Sequence, residues 1–196
     1  MRMLIKTIIF VIAGVMFSAA SAGNATEFIR TNCDTTLYPE LCYHSLAGYA
    51  NAVQSDPARL ARVAVGVSLS RAKRMGLYVA NLSRQADYSA DHRAAAALHD
   101  CFSVLGDAVD QIRGSLKQMR RLTGTGEELR YQLSNVQTWM SAALTNEDTC
   151  VDGLDDVAIG VVGDEVSGRI LKVKEVTSNA LALVNMFVSK LMTTTF

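Results

Sequence analysis

From residue 58 to residue 196 the chain contains no proline; its two prolines are Pro39 and Pro57. A stretch of that length without the residue that breaks helices, and rich in Ala, Leu and Val, favours long helices. The apolar spacing agrees. Ser55-Asp56-Pro57 is a helix start, a capping side chain followed by proline at the first helical position. From there Ala61, Val65, Ala72, Met75, Val79 and Leu82 keep to one face to about residue 86. Asp91 is placed to cap a second helix, in which Ala94, Leu98, Cys101, Leu105, Ala108, Ile112, Leu116 and Met119 follow the three-four spacing closely. Gly124-Thr125-Gly126 breaks the chain, and a third helix turns Leu129, Leu133, Val136, Met140 and Ala143 inward. The pattern loosens from Asn146 to Gly163, then resumes in a fourth helix with Val166, Ile170, Val173, Thr177, Ala180, Val184, Phe187 and Leu191 in register. No long segment alternates with period two. The predicted fold is all-α, an up-down-up-down four-helix bundle over residues 56–194, preceded by short helices and turns over 26–50.

The first residues read as a targeting segment. Arg2 and Lys6 precede an apolar run, Thr7 to Phe17, and Ala20-Ser21-Ala22 gives the small-x-small pattern that signal peptidase cuts after. A membrane span needs about 20 apolar residues, and this run is shorter. Residues 1–22 are therefore expected to be a cleaved signal peptide and residues 23–196 a single secreted domain. That chain carries seventeen basic side chains, Arg2 and Lys6 being lost, against 19 acidic ones. The balance gives no electrostatic footprint for nucleic acid, and no basic amphipathic segment points to a membrane surface. Asn24-Ala25-Thr26 and Asn81-Leu82-Ser83 are glycan acceptor sequences, with Asn24 and Asn81 as the sites.

Four cysteines, Cys33, Cys42, Cys101 and Cys150, read as disulfides in an oxidising compartment. Three pairings exist. Joining Cys33 to Cys42 and Cys101 to Cys150 asks least of the backbone, because the first pair is close in sequence. The second links the inner stripe of helix two to the place where helix three hands over to helix four. Chain-entropy arguments give about 2.7 kcal/mol for the first bridge and about 4 kcal/mol for the second.

The chain offers no convergent set of catalytic or metal-binding groups. His92 and His99 are seven apart, whereas two ligands on one helical turn want a spacing of four, and His44 lies far off; with the cysteines in bridges no zinc set remains. The acids at Asp107 and Asp110, Glu147-Asp148, Asp152, Asp155-Asp156 and Asp164-Glu165 lack an EF-hand spacing, and acids near helix starts follow from the helix dipole. No phosphate loop, nucleophile elbow or Ser/His/Asp arrangement appears. Neither an enzyme nor a cofactor is expected. A lipid-carrying bundle would need a large cavity, which the dense apolar stripes argue against. What does stand out is a row of small hydroxyls on helix three, Ser134, Thr138, Ser141 and Thr145, continued by Asp148 and Thr149. A solvated helix face ordinarily carries Glu, Lys and Arg, whereas short hydroxyls let a second surface approach closely. Trp139, the sole tryptophan, belongs at the edge of the core.

Several segments resemble one family. Cys33-Asp-Thr-Thr-Leu-Tyr-Pro-Glu-Leu-Cys42 is similar to the N-terminal cysteine hairpin of plant invertase and pectin methylesterase inhibitors. Ala97-Leu98-His99-Asp100-Cys101 is similar to their second-helix motif. Val136-Gln-Thr-Trp-Met-Ser-Ala-Ala-Leu-Thr-Asn-Glu-Asp-Thr-Cys150, with Val151-Asp152-Gly153 after it, resembles their third-helix motif, and Asn179-Ala180-Leu181-Ala182-Leu183 fits the last helix. The resemblance implies a four-helix bundle with an N-terminal helical hairpin, the same two bridges, and a role in covering an enzyme's active-site cleft. The Thr-Trp-Met-Ser-Ala-Ala-Leu-Thr run resembles the pectin methylesterase side. Invertase inhibitors are similar in carrying a Pro-Lys-Phe element, which Leu122-Thr-Gly-Thr-Gly-Glu-Glu-Leu129 lacks. The chain departs from many relatives in having no fifth cysteine, and many of them carry an acidic residue near the position of Ser103. The expected function is one-to-one inhibition of a pectin methylesterase in the apoplast, with acid invertase as the alternative target. The expected contacts are Asp107, Gln111, Thr138, Ser141, Thr145 and Asp148, and the hairpin is a candidate homodimer surface. Interface carboxylates in an acidic wall make pH-dependent binding a further expectation.

Overall fold

Capping at the Ser55-Asp56-Pro57 start is met by side chain and backbone together. Asp56 Oδ1 accepts the Arg59 N–H at 2.9 Å, and Gln54 and Ser55 just before it take positive φ, 50° and 57°, which turns the chain into the helix. The structure is a computed structural model that describes residues 23–86, 91–155 and 161–194. Its helices are α1 over 23–33, α2 (Pro39–Leu46), a 3-10 turn at Ala47–Tyr49, α3 (Ala50–Val53), α4 (Pro57–Ala86), α5 (His92–Met119), α6 (Gly126–Asp155) and α7 (Val161–Thr194). The expected signal peptide lies outside the described residues.

Asp91 caps α5, accepting from the N–H groups of Arg93 and Ala94 at 3.1 and 3.0 Å. Gly124 and Gly126 supply the positive φ, 75° and 59°, that lets α5 reverse into α6. α4 to α7 form the four-helix bundle, each packed on the next and α7 closing against α4, so that α4 and α6 stand diagonally opposed. Neighbours run antiparallel: Gln118 near the end of α5 bonds Gln132 near the start of α6, and Gln137 early in α6 bonds Asn185 late in α7. All eight residues of the α5 stripe are buried. Those of the other stripes are buried too, save Leu82, Leu129 and Leu191, which pack against the core from its margin.

Three features differ from the sequence expectations. The third helix does not loosen at Asn146; it runs on to Asp155, because Glu147, Cys150, Val151 and Leu154 continue its buried stripe. Cys150 therefore sits inside a helix rather than at a hand-over between two. Second, the segment before α4 is no loose appendage. Ile29, Cys33, Leu46 and Val53 are fully buried, and Asn179 of α7 clasps the Tyr38 peptide, accepting its N–H at 3.1 Å and donating to its carbonyl at 2.9 Å. Lys190 of α7 donates to Asn32 at 3.3 Å, and the Arg30 guanidinium stacks 3.7 Å over the Tyr43 ring, holding α1 to α2. Third, one basic amphipathic segment does exist. α4 carries six cations and no carboxylate, which the near-neutral total hid.

Both expected disulfides are formed, Cys33–Cys42 with Cα atoms 5.5 Å apart and Cys101–Cys150 with Cα atoms 4.3 Å apart. Among the described residues no helix is long and apolar enough to cross a membrane.

Candidate interaction face

The core stripe of α6, from Leu133 through Val136, Met140 and Ala143 to Cys150, fixes which side of the helix faces water. At 100° per residue, Tyr131, Ser134, Thr138, Ser141, Thr145 and Thr149 fall on the opposite side, and all six are exposed. Thr145 Oγ1 donates to the Ser141 carbonyl at 3.3 Å and Thr149 Oγ1 to the Thr145 carbonyl at 2.9 Å. These hydroxyls spend their protons inside the helix and turn oxygen lone pairs outward.

α5 borders this row. Gln111 is half-buried and its Oε1 accepts from Asn146 Nδ2 of α6 at 3.2 Å, while Asp107, one turn earlier, is exposed. Trp139 is half-buried, as expected of a residue at the core's edge, and its indole lies across Gly114 of α5. A Cβ built at Gly114 would stand 3.4 Å from the ring, an ordinary van der Waals contact, so the indole packs close against the α5 backbone there. The α5–α6 pair is held at both ends: by Cys101–Cys150 at one, and at the other by Gln132, which joins Gln118 and both peptide groups of Thr123.

Asp148 lies at the α7 edge of this row, two turns on from Ser141, and forms an ion pair with Lys174 of α7; the pairing raises the lysine's pKa. Its neighbour Glu147 points into the bundle and is fully buried. Glu147 Oε1 accepts from Thr177 Oγ1 at 2.9 Å, Thr177 in turn meets Ser68 of α4 at 2.9 Å, and Oε2 has no partner among the described residues. Desolvation pushes the Glu147 pKa up to about 8, with the nearby Asp148 adding to the rise and the Thr177 bond and Lys174 opposing it. The carboxylate that the fold tunes is thus inside the bundle. His44, His92 and His99 are all exposed, and no described group of three or more His, Cys, Asp or Glu side chains could hold a metal ion. Asn24 and Asn81 are exposed on α1 and α4.

Residues 27–183 match the sequence profile of plant invertase/pectin methylesterase inhibitors. The chain belongs to this inhibitor family. It is similar to the 21 kDa protein of Daucus carota, 38% identical over 97% of this chain and 98% of the relative. It is equally similar to pectinesterase inhibitor 9 of Arabidopsis thaliana, 38% identical over 95% of this chain and 96% of the relative. In fold it is similar to the crystal structure of mutant form A of a pectin methylesterase inhibitor from Arabidopsis, with a TM-score of 0.61 at 21% identity over 79% of this chain and 93% of that one. The family and this Arabidopsis thaliana relative are named as inhibitors of enzymes, not as enzymes themselves.

Of the residues singled out from sequence, Thr138, Ser141 and Thr145 share the outer side of α6 with Asp148 at its α7 edge, and Asp107 and Gln111 stand on the neighbouring α5. The sequence reading missed Tyr131, an aromatic 70% exposed at the N-terminal end of the hydroxyl row. Its seven-residue spacing to Thr138 was the available signal.

Proposed function

We propose that this chain inhibits a plant pectin methylesterase one-to-one, laying the α5–α6 face over the enzyme's active-site cleft. The observation that carries the proposal is the exposed row Ser134, Thr138, Ser141, Thr145 beside Asp107 and Gln111, on a chain similar over nearly its whole length to a pectinesterase inhibitor. Small hydroxyls on a braced helix allow close approach at little rotamer entropy, and Tyr131 supplies the kind of aromatic anchor that dominates such interfaces. The site of action is the cell wall, reached by export under the signal of residues 1–22, with Asn24 and Asn81 as glycan acceptors. A homodimer through the hairpin would use its outer side, where Leu37 is 71% exposed, since its inner side is covered by α7.

The test is to titrate the mature chain against a pectin methylesterase and an acid invertase in parallel. Esterase activity is expected to fall to completion at one equivalent. Introducing Thr138→Lys with Ser141→Lys should weaken inhibition by about tenfold or more, with the helical circular dichroism unchanged. Loss of invertase activity alone, or release of methanol from pectin by the chain itself, would overturn the proposal.

A further inference from the structure

α4 holds Arg59, Arg62, Arg71, Lys73, Arg74 and Arg84 and no acidic residue from Pro57 to Ala86. The rest of residues 23–196 holds eleven basic side chains against 19 acidic ones. α6, the diagonal helix, leans the other way, with Glu127, Glu128, Glu147, Asp148, Asp152 and Asp155 against Arg130 alone. The near-zero total thus conceals a molecule whose charge is separated across the bundle.

By helical angle, Arg59, Arg62, Lys73, Arg74 and Arg84 share an arc of about 120° on the side of α4 opposite its buried Ala61, Val65, Ala72 and Val79. Lys73, Arg74 and Arg84 are exposed, and Arg59 and Arg62 are half-buried. Arg59 donates to Gln54 and Arg74 to Ser70 at 2.6 Å, both neutral partners, and none of the five forms a salt bridge among the described residues. From Arg59 to Arg84 the band is about 37 Å long at 1.5 Å per residue.

We propose that this band binds a linear polyuronate, the de-esterified pectin chain, and so anchors the inhibitor on its target's product; the identity of that polymer rests on the esterase reading above. Each ester that water cleaves releases one methanol and leaves one carboxylate, so the polymer gains charge wherever the esterase has worked. A band of four guanidinium groups and one ammonium along a straight helix suits a run of carboxylates along an extended chain. A bilayer is a poorer match. Among the described residues the one large apolar side chain exposed on this face is Leu77, which offers little to insert between lipids. Because α4 and α6 are diagonal, the band points away from the hydroxyl row, and one chain can hold polymer and enzyme together. Binding the product would raise the inhibitor's local concentration around the enzyme that made it.

The experiment measures binding of the mature chain, produced without glycans because Asn81 lies beside the band, to polygalacturonate, to fully methyl-esterified pectin and to vesicles of equimolar phosphatidylserine and phosphatidylcholine. Polygalacturonate should bind, weakening steeply with added salt, and the esterified polymer should not. The Arg59→Gln, Arg74→Gln, Arg84→Gln variant should lose about tenfold in affinity, the size that three surface charge contacts of modest strength give, while still inhibiting soluble esterase fully. Equal binding of that variant, equal binding to the esterified polymer, or tighter binding to the vesicles would overturn the proposal. A chain that binds polyuronate but leaves the esterase active would instead refute the esterase reading alone.

Discussion

Glu147 occupies a core position that helical periodicity would give to an aliphatic side chain, and it does so as a neutral acid. In the unfolded chain such a group loses its proton near pH 4.5, whereas the fold retains it to about pH 8. Between those values the folded state binds more protons than the unfolded one. The group's contribution to stability is therefore fully present below the lower value, shrinks as pH rises at up to about 1.4 kcal/mol per pH unit, and is gone above the upper one. The thermal midpoint is expected to decline from pH 5 to pH 8, and Glu147→Gln, which cannot ionise, should flatten much of that decline. Calorimetry of both proteins across the range tests this; an unchanged slope in the variant would place the titration elsewhere. The acid pair Glu147-Asp148 was legible in the sequence as a cluster, and its split was not. Successive helix positions diverge by 100°, so one carboxyl turns inward to Thr177 and the other outward to Lys174. The signal that separates them is that Ala143, Glu147, Cys150 and Leu154 keep the core spacing.

At the scale of elements, the caps and breaks were readable because their chemistry is local. Asp56, Asp91 and the glycines at 124 and 126 act within a turn of where they stand. The docking of the α1–α2 segment was not readable, since it depends on partners more than a hundred residues away. Asn179 shows this best: one side-chain amide satisfies both peptide groups of Tyr38 across the chain. Asn179→Ala would leave a partly buried donor and acceptor without partners, at a cost of about 1–3 kcal/mol. That corresponds to a fall in melting temperature of roughly 2–4 °C per kcal/mol for a protein of this size. Scanning calorimetry measures the loss, and amide exchange around Tyr38 should quicken; no change in either would show that the clasp is dispensable. α4 carries a different lesson. Its buried stripe was identified by apolar spacing, but its charge was averaged into the whole chain, and the segregation becomes plain when cations are counted helix by helix.

For the whole molecule, the order of helices and both disulfides followed from sequence, because a proline-free amphipathic chain with four cysteines leaves few arrangements. The composition of the interaction face followed less completely. Periodicity assigns Tyr131 and Asp148 their sides of α6, but which neighbour borders each flank, α5 beside Asn146 and α7 beside Asp148, is fixed only by the packed bundle. Replacing both Cys101 and Cys150 by Ser should lower unfolding free energy by about 2–5 kcal/mol while leaving the far-ultraviolet helical signal in place at room temperature, as denaturant titration can show. With sulfur at one end of the α5–α6 pair and the Gln132 amide at the other, the two helices are braced at both ends, and their spacing is expected to stay the same when a target binds. Discrimination among sibling enzymes then falls to the dimensions of their own grooves: those that match the preset width bind, and the inhibitor does not remould itself for the others.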